Sequence, residues 1–557
     1  MIDRIQTTKI EPQKVKHNNE DLSFKGPGTM ALTGLRVLNN SPAVGACAVD
    51  LCSMVIPRTT IEWKNRGPQS GIETLVREGS SNLIHTCVGL IGLGAATLLS
   101  KKFNNTFGVK AQNIFASSNT IDNMAALWNG AQGNQKEFFE GFVDNLRGLN
   151  GNSWRTVSDG AKSEIVDSMV SLADKAKEMA AATGAEKKQL AKEVKGLKSL
   201  ISAKVIKDTG AQASYKFKAG EATKELSASF PDLLDNAVSL SNSFATQAKE
   251  KLPTFIDSLK KNKTASTLLG MGICAALCIS VQPVNRLLTK LRTGSDGFVG
   301  VDNSDKKEEK TSDGKKKPQF YKAAKTALGI AFPIAALRTI GKPQDLVSNI
   351  QFNSKVPTLN QFKFLYGLTI ASRFLSARDG NELRESVIKD SLGFTNWLIL
   401  GGMVSKLAAR GLGGKELINN PIAQDGTKKG IKYAFKWLTQ ASVKTYDEIL
   451  LPKAKELTSG EGKLLNFSEL MKNVDAATKK KIRTIGIAQV AGYLYSGIVL
   501  GVGISKLNIF ITKTLNARKK ARDNMNDKVA DNSAIKKATD YISQYKEQLS
   551  PVFKDFN

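Results

Sequence analysis

Histidine is nearly missing from this chain: of 557 residues only His17 and His85 carry an imidazole. That scarcity argues against histidine-based catalytic triads, His-rich metal sites and histidine acid–base pairs. Cysteine is sparse too. Cys47, Cys52, Cys87, Cys274 and Cys278 all lie in apolar stretches, where packing is the ordinary role of the residue. Five cysteines in a chain of this length are far too few for a disulfide scaffold. The spacing of Cys274 and Cys278 puts them on one helix face, but no histidine and no second pair completes a metal site. Aromatic residues make up 7% of the chain and are not interleaved with basic residues as a base-stacking surface requires. Phosphate loops are missing as well: Gly413-Gly414-Lys415 and Gly460-Glu461-Gly462-Lys463 lack the leading glycine and the hydroxyl residue. Gly92-x-Gly94 and Gly501-x-Gly503 fall inside apolar runs, where close helix packing explains them better than a dinucleotide fold. These absences point to a protein that is not an enzyme and holds no cofactor and no metal.

What the chain has is charge of one sign and strongly segregated apolar runs. The net charge is +29, spread along the polar tracts rather than gathered into one footprint. Diffuse basicity beside apolar segments suits a membrane with anionic headgroups better than a specific nucleic acid. Thr264 to Pro283 is about twenty residues without a charge, the length a bilayer core demands. Residues 484–505 form a second span, and 83–99 a third, interrupted by His85. Segments 43–56, 362–376 and 392–404 are marginal in length. Pro57 is expected to end the first of them, which carries Asp50. Segment 326–337, broken by Pro333, is expected to be interfacial or re-entrant rather than a crossing. Residues 1–28 show no apolar core of a signal peptide, so an integral protein of the cytoplasmic membrane without a cleavable signal is expected.

Between the apolar runs lie soluble-looking helices. Ile165, Met169, Leu172, Ala176 and Met179 recur at helical spacing, and Leu190, Val194, Leu197 and Ile201 continue it after Thr183-Gly184. Residues 160–207 therefore read as a helical hairpin. Strand signals are few.

Two short stretches more than three hundred residues apart share one pattern. Glu73-Thr74-Leu75-Val76-Arg77-Glu78-Gly79 and Glu385-Ser386-Val387-Ile388-Lys389-Asp390-Ser391 both read acid, hydroxyl, two aliphatics, base, acid, small residue. Asn285-x-x-x-Thr289-Lys290 and Asn508-x-x-x-Thr512-Lys513 close a later apolar run in each half. The fold class expected is all-α: a polytopic helical membrane protein, built from two related three-helix halves with long soluble helical insertions. The implied order is a polar leader (1–37), an apolar helix pair (38–102), an insertion (103–263) and a closing helix (264–293). A charged linker (294–322) and a short apolar segment (323–361) follow. The second half repeats the order with a helix pair (362–410), an insertion (411–483) and a closing helix (484–514), before a basic tail (515–557).

Three features carry a functional reading. The spacing of Glu73 with Arg77, and of Glu385 with Lys389, fits ion pairs within a helix. As a solvated connector at the membrane surface they would be structural; as matched gates they would line a central path together with Glu78 and Asp390. Asp50 and His85 are ionisable groups in apolar runs, where such groups are costly and tend to be functional. Gly497-x-x-x-Gly501 has the small-residue spacing through which a homo-oligomer could form. Pro57-Arg58-Thr59-Thr60 after an apolar run has the outline of the mitochondrial carrier signature. It lacks the acid two residues after the proline, the proline in the second copy and the threefold repeat, so that family is excluded. If each half crosses three times and 326–337 does not cross, the halves are inverted, which favours a transport or channel role. The competing reading is a structural or interaction protein whose apolar helices are buried or lie on a membrane surface.

Overall fold

The computed structural model describes residues 27–40, 42–107, 116–148, 159–209, 214–219, 226–294, 319–352, 357–396, 400–420, 430–450, 453, 465, 467–530, 536–537 and 539–544. The linker 294–322 and the first 26 residues of the leader lie almost wholly outside them. Among the described residues the chain is all-α, with five strands of two to four residues. The first bundle segment comprises α1 (Pro27–Asn40), α2 (Pro42–Val49), α3 (Ile56–Arg66) and α4 (Pro68–Phe107). The insertion holds α5 (Ser118–Gly130), α6 (Gln135–Asp144), β1 (Leu146–Gly148), α7 (Asp159–Ala181), α8 (Gly184–Thr209), β2 (Ser214–Phe217), β3 (Leu226–Ser229) and α9 (Phe230–Ala245). The chain returns to the bundle in α10 (Leu252–Thr293), α11 (Gln319–Arg338), α12 (Leu346–Asn349), α13 (Leu359–Ser376), α14 (Gly380–Thr395) and α15 (Gly401–Gly413). β4 (Ile418–Asn419), α16 (Ile431–Gln440), β5 (Ser442–Val443), α17 (Tyr446–Leu450) and α18 (Phe467–Asn473) lead to α19 (Ala476–Ser496) and α20 (Ile504–Ala530).

Among the described residues four helical runs are long and apolar enough to cross a membrane: Val44–Arg66, Pro68–Lys101, Lys249–Thr293 and Ala476–Arg522. Their outward faces carry Leu83, Leu90, Leu268, Ile279, Ile487, Leu494 and Ile498, all exposed. Lipid is the environment in which such faces cost nothing. The first run passes through Pro57 instead of stopping there. Between α2 and α3 the backbone widens into a π-helical segment, Asp50–Val55, and Pro57 falls in the first turn of α3, where a missing N–H is tolerated. A second π-helical segment, Gly497–Gly503, joins α19 to α20 and packs on the first. Gly501 makes this possible: a Cβ there would stand 2.5 Å from the Ser53 carbonyl oxygen and 2.7 Å from the Pro57 Cβ. The small-residue spacing expected to serve a second copy of the chain is thus taken up within the chain. Gly501→Leu should overpack this contact and lower the melting temperature of the purified protein, whereas Gly402→Leu, which meets open space, should not.

Segment 326–337 is not among these runs, and the bent helix that holds it has the geometry of either a broken span or the re-entrant piece expected. α11 runs antiparallel to α13 along its length: the Tyr321 hydroxyl donates to the Ala377 carbonyl at one end (3.1 Å), and Lys363 Nζ to the Thr339 carbonyl at the other (3.2 Å). It then bends by 77° into Pro343–Asn349. The chain is carried back along α13 by this helix, so α2–α3 and α13 run in the same direction. The leader is corrected too: its last part is the helix α1, because Leu32 and Leu35 pack on the core formed by Tyr446, Leu450, Ile482 and Ile485.

The insertion grows from the ends of α4 and α10. At 40 and 42 residues these helices reach about 60 Å at 1.5 Å per residue, twice a bilayer core. Phe103 and Phe107 at the end of α4 meet Phe255 of α10 and join the insertion core of Phe138, Phe139, Phe142, Ile165, Met169 and Leu233. The hairpin expected over 160–207 is α7 and α8, restarted at Gly184 with φ +59°. Its facing stripes meet as the periodicity requires, with Ile165, Met169, Leu172 and Ile201 fully buried. Lys175 lies 2.6 Å from Glu193 across the hairpin and holds its carboxyl below the usual carboxylate range. Strands β1–β2–β3 form an antiparallel sheet in which Leu146 pairs with Phe217 and Tyr215 with Ala228.

Candidate functional site

Two helix breaks bring the repeated stretches together. α3 ends at Gly67, whose φ of +88° no branched residue would adopt readily, and Pro68 restarts the chain as α4. α13 ends at Ala377, and the Asp379 side chain caps α14 by accepting from the Glu382 N–H. Each repeated stretch therefore forms early turns of a helix, and the charged residues of both are buried. Glu73 and Glu385 are 4% and 2% exposed, Arg77 and Lys389 6% and 4%, Glu78 and Asp390 3% and 1%. A solvated surface connector is thereby overturned for both copies.

The ion pairs expected within each helix do not form. Glu73 instead pairs with Arg378, and Glu385 with Arg66 through two contacts of 2.6 and 2.9 Å. The two arginines stand seven residues before Glu385 and Glu73 respectively, so each segment offers its arginine to the glutamate of the other. Each arginine also holds an acid of its own segment, Glu62 for Arg66 (3.1 Å) and Glu382 for Arg378 (3.0 Å). Glu78 and Asp390, equivalent in the two stretches, share a single guanidinium: Arg373 lies 2.7 Å from both. Arg58 and Arg77 approach Glu78 more loosely, at 3.6 and 3.4 Å. Arg58 Nε also donates to the Leu500 carbonyl in the π-helical segment (3.3 Å), where the widened helix frees a backbone acceptor. Lys389 meets Glu62 at 2.9 Å. The closing helices add polar groups at matching positions. Asn508 donates to the Glu385 carbonyl (3.1 Å) and Thr512 to the Glu385 carboxylate. Asn285 and Thr289 are equally buried in α10, and Gln282 reaches Glu382 (3.4 Å).

Charges so placed cost free energy unless paired, and here the pairing crosses between segments far apart in sequence. Breaking either reciprocal pair would strand a buried charge, so the cluster ties separate segments together at one end of the bundle.

At the other end lies a cavity of about 370 Å³. Leu38, Ala46, Val49, Leu359, Leu438 and Val443 supply its apolar wall. Asn39, Ser405, Lys406, Gln489, Tyr493 and Ser496 supply its polar groups. Three helical runs connect the two features. On α13 Leu359 lines the cavity and Arg373 the cluster; on α2–α3 the corresponding residues are Gly45 and Arg58; on α19–α20 they are Gly492 and Asn508. Separations of 14, 13 and 16 residues correspond to about 20 Å along each run. Asp50 and His85 lie between. Asn82 donates to the Asp50 carboxylate (2.9 Å), and His85 Nε2 lies 3.3 Å from the Thr369 hydroxyl, its ring against Phe362. Both are buried, so neither is a helix-surface residue.

The residues that complete the cluster, Arg58, Glu62, Arg66, Arg373, Arg378 and Glu382, escape a motif search confined to seven positions. The signal was present: in both copies an arginine stands seven residues ahead of the first glutamate, just before a helix break at Gly67-Pro68 or Asp379-Gly380.

Comparison with protein-family models, with curated proteins and with solved structures finds no match to this chain.

Proposed function

We propose that the chain is a non-enzymatic, multi-pass protein of the cytoplasmic membrane, built from two related halves. It moves a solute between the cavity at one end of the bundle and the ionic cluster that closes the other. The observation that carries the reading is the reciprocity of Arg66–Glu385 with Arg378–Glu73. A pair of related units in contact about a twofold axis is expected to exchange equivalent contacts in this way. The helix directions favour parallel halves, the arrangement in which a twofold axis lies along the membrane normal, as in transporters with two halves of the same topology. Buried ionisable groups inside a helical membrane bundle mark solute paths or the gates on them. A cavity at one end and a cross-half clamp at the other are what a carrier closed on one side would present. The second reading, a structural protein with membrane-embedded anchors, draws support from the insertion, which packs around an aromatic core separate from the ionic cluster.

Accessibility of a buried cysteine separates the two. In a variant with the five native cysteines replaced, Thr74→Cys, buried in the cluster, should resist a membrane-impermeant thiol reagent. Adding Arg378→Gln should open the clamp and raise the labelling rate by roughly tenfold, the change that about 1.4 kcal/mol in the open–closed equilibrium produces. Labelling that stays slow in a variant that remains folded would favour the static scaffold.

A further inference from the structure

We infer that the 370 Å³ cavity is a binding site for an amphipathic anion, with the ammonium of Lys406 as its head-group partner. Lys406 is 4% exposed and reaches the cavity from α15. Its Nζ donates to the carbonyls of Trp437 (3.1 Å) and Leu438 (2.6 Å) and lies 5.0 Å from the centre of the Trp437 ring. Two carbonyls and an aromatic face hold the ammonium in place but leave its charge uncancelled. Among the described residues no carboxylate lines the cavity and none pairs with Lys406. An ammonium has three donors, so one remains for a ligand. Tyr493 adds a second donor, because its hydroxyl accepts from Gln489 (2.9 Å) and its proton is left for another acceptor. Across from these groups the wall is aliphatic. A buried cation that keeps its charge needs a counter-anion, and an aliphatic wall of this size favours an apolar body attached to it. A carboxylate or phosphate head with a short alkyl or aryl tail meets both demands.

The site differs from the ionic cluster at the far end, where every base faces an acid of the chain. It goes beyond the transport reading, since a ligand can occupy the cavity whether or not it is carried across.

Equilibrium dialysis of labelled decanoate against the full chain tests the inference, with the protein in phosphatidylcholine nanodiscs and empty discs subtracted. Saturable retention is expected, with decan-1-ol retained far less because it carries no charge. Lys406→Gln should weaken decanoate binding by tenfold or more, the scale of one lost hydrogen bond to a charged group, and Lys406→Arg should retain most of it. Gly402→Phe provides an independent block: glycine 402 lines the cavity and a Cβ there meets nothing within 4 Å. The added ring should fill the space and abolish binding without disturbing Lys406 or the melting temperature. Discs doped with phosphatidylglycerol distinguish the sources of the anion. Loss of decanoate binding there assigns the site to an anionic lipid, and unchanged binding assigns it to a free amphiphile. Equal binding by wild type and a folded Lys406→Gln, equal retention of decanol and decanoate, or no saturable retention in any disc would overturn the inference.

Discussion

Arg373→Met is expected to be the most damaging single substitution in the bundle, lowering stability by roughly 3–5 kcal/mol, the cost of removing one partner from a buried ion pair. The guanidinium stands 2.7 Å from Glu78 and 2.7 Å from Asp390, and its side chain is 4% exposed. Without it Glu78 retains only the looser approaches of Arg58 and Arg77, at 3.6 and 3.4 Å. Asp390 loses its ion pair altogether, with one carboxylate oxygen already lacking a partner among the described residues. Thermal unfolding in detergent, followed by tryptophan fluorescence, should show the loss. Arg373→Lys should recover little of it, because one ammonium cannot serve two carboxylates as a planar guanidinium does. Removing the acids together with the base, in Arg373→Met with Glu78→Gln and Asp390→Asn, should restore a large part. A single substitution that left the melting point unchanged would mean that the cluster is hydrated and the charges are not buried.

The second large effect concerns coupling. Double-mutant cycles on Arg66/Glu385 and on Arg378/Glu73, using glutamine throughout, should each give an interaction energy of about 1–3 kcal/mol, within the range for buried charged neighbours. The pairs suggested by helical spacing alone, Glu73/Arg77 and Glu385/Lys389, should give almost none, because their side chains are committed elsewhere. Both couplings should survive added salt, since ions screen exposed pairs far more than buried ones. Strong coupling in only one of the two reciprocal pairs would remove the argument for related halves.

These contrasts show what the residues disclosed and what they concealed. Apolar run length and helical periodicity were enough to read the long apolar helices and the α7–α8 hairpin, because one-dimensional spacing decides which residues share a face. The partners of Glu73 and Glu385 were not legible, because both lie on other segments, and spacing along one helix says nothing about a neighbour that arrives after a break. Pro57 misled for a local reason: a proline ends a regular α-helix, but the widened segment Asp50–Val55 ahead of it leaves the chain helical. Segment 326–337 showed its bend but not its full length. The helix extends to both sides, from Gln319 to Arg338, and packs along α13. The recurring Asn285/Asn508 and Thr289/Thr512 positions were read from sequence as an echo, and all four are buried at the cluster end of the bundle. Lys406 gave no signal, because a lone lysine in a basic chain looks like solvated surface until its burial is seen.

Cysteine cross-linking in intact membranes tests the central claim most directly. In a background without native cysteines, Arg66→Cys with Glu385→Cys and, separately, Arg378→Cys with Glu73→Cys are treated with a short bifunctional thiol reagent. The account predicts that both pairs cross-link within one chain, in protein that stays with the membrane pellet after carbonate extraction. Cross-linking of one pair only, or protein released into the supernatant, would contradict it.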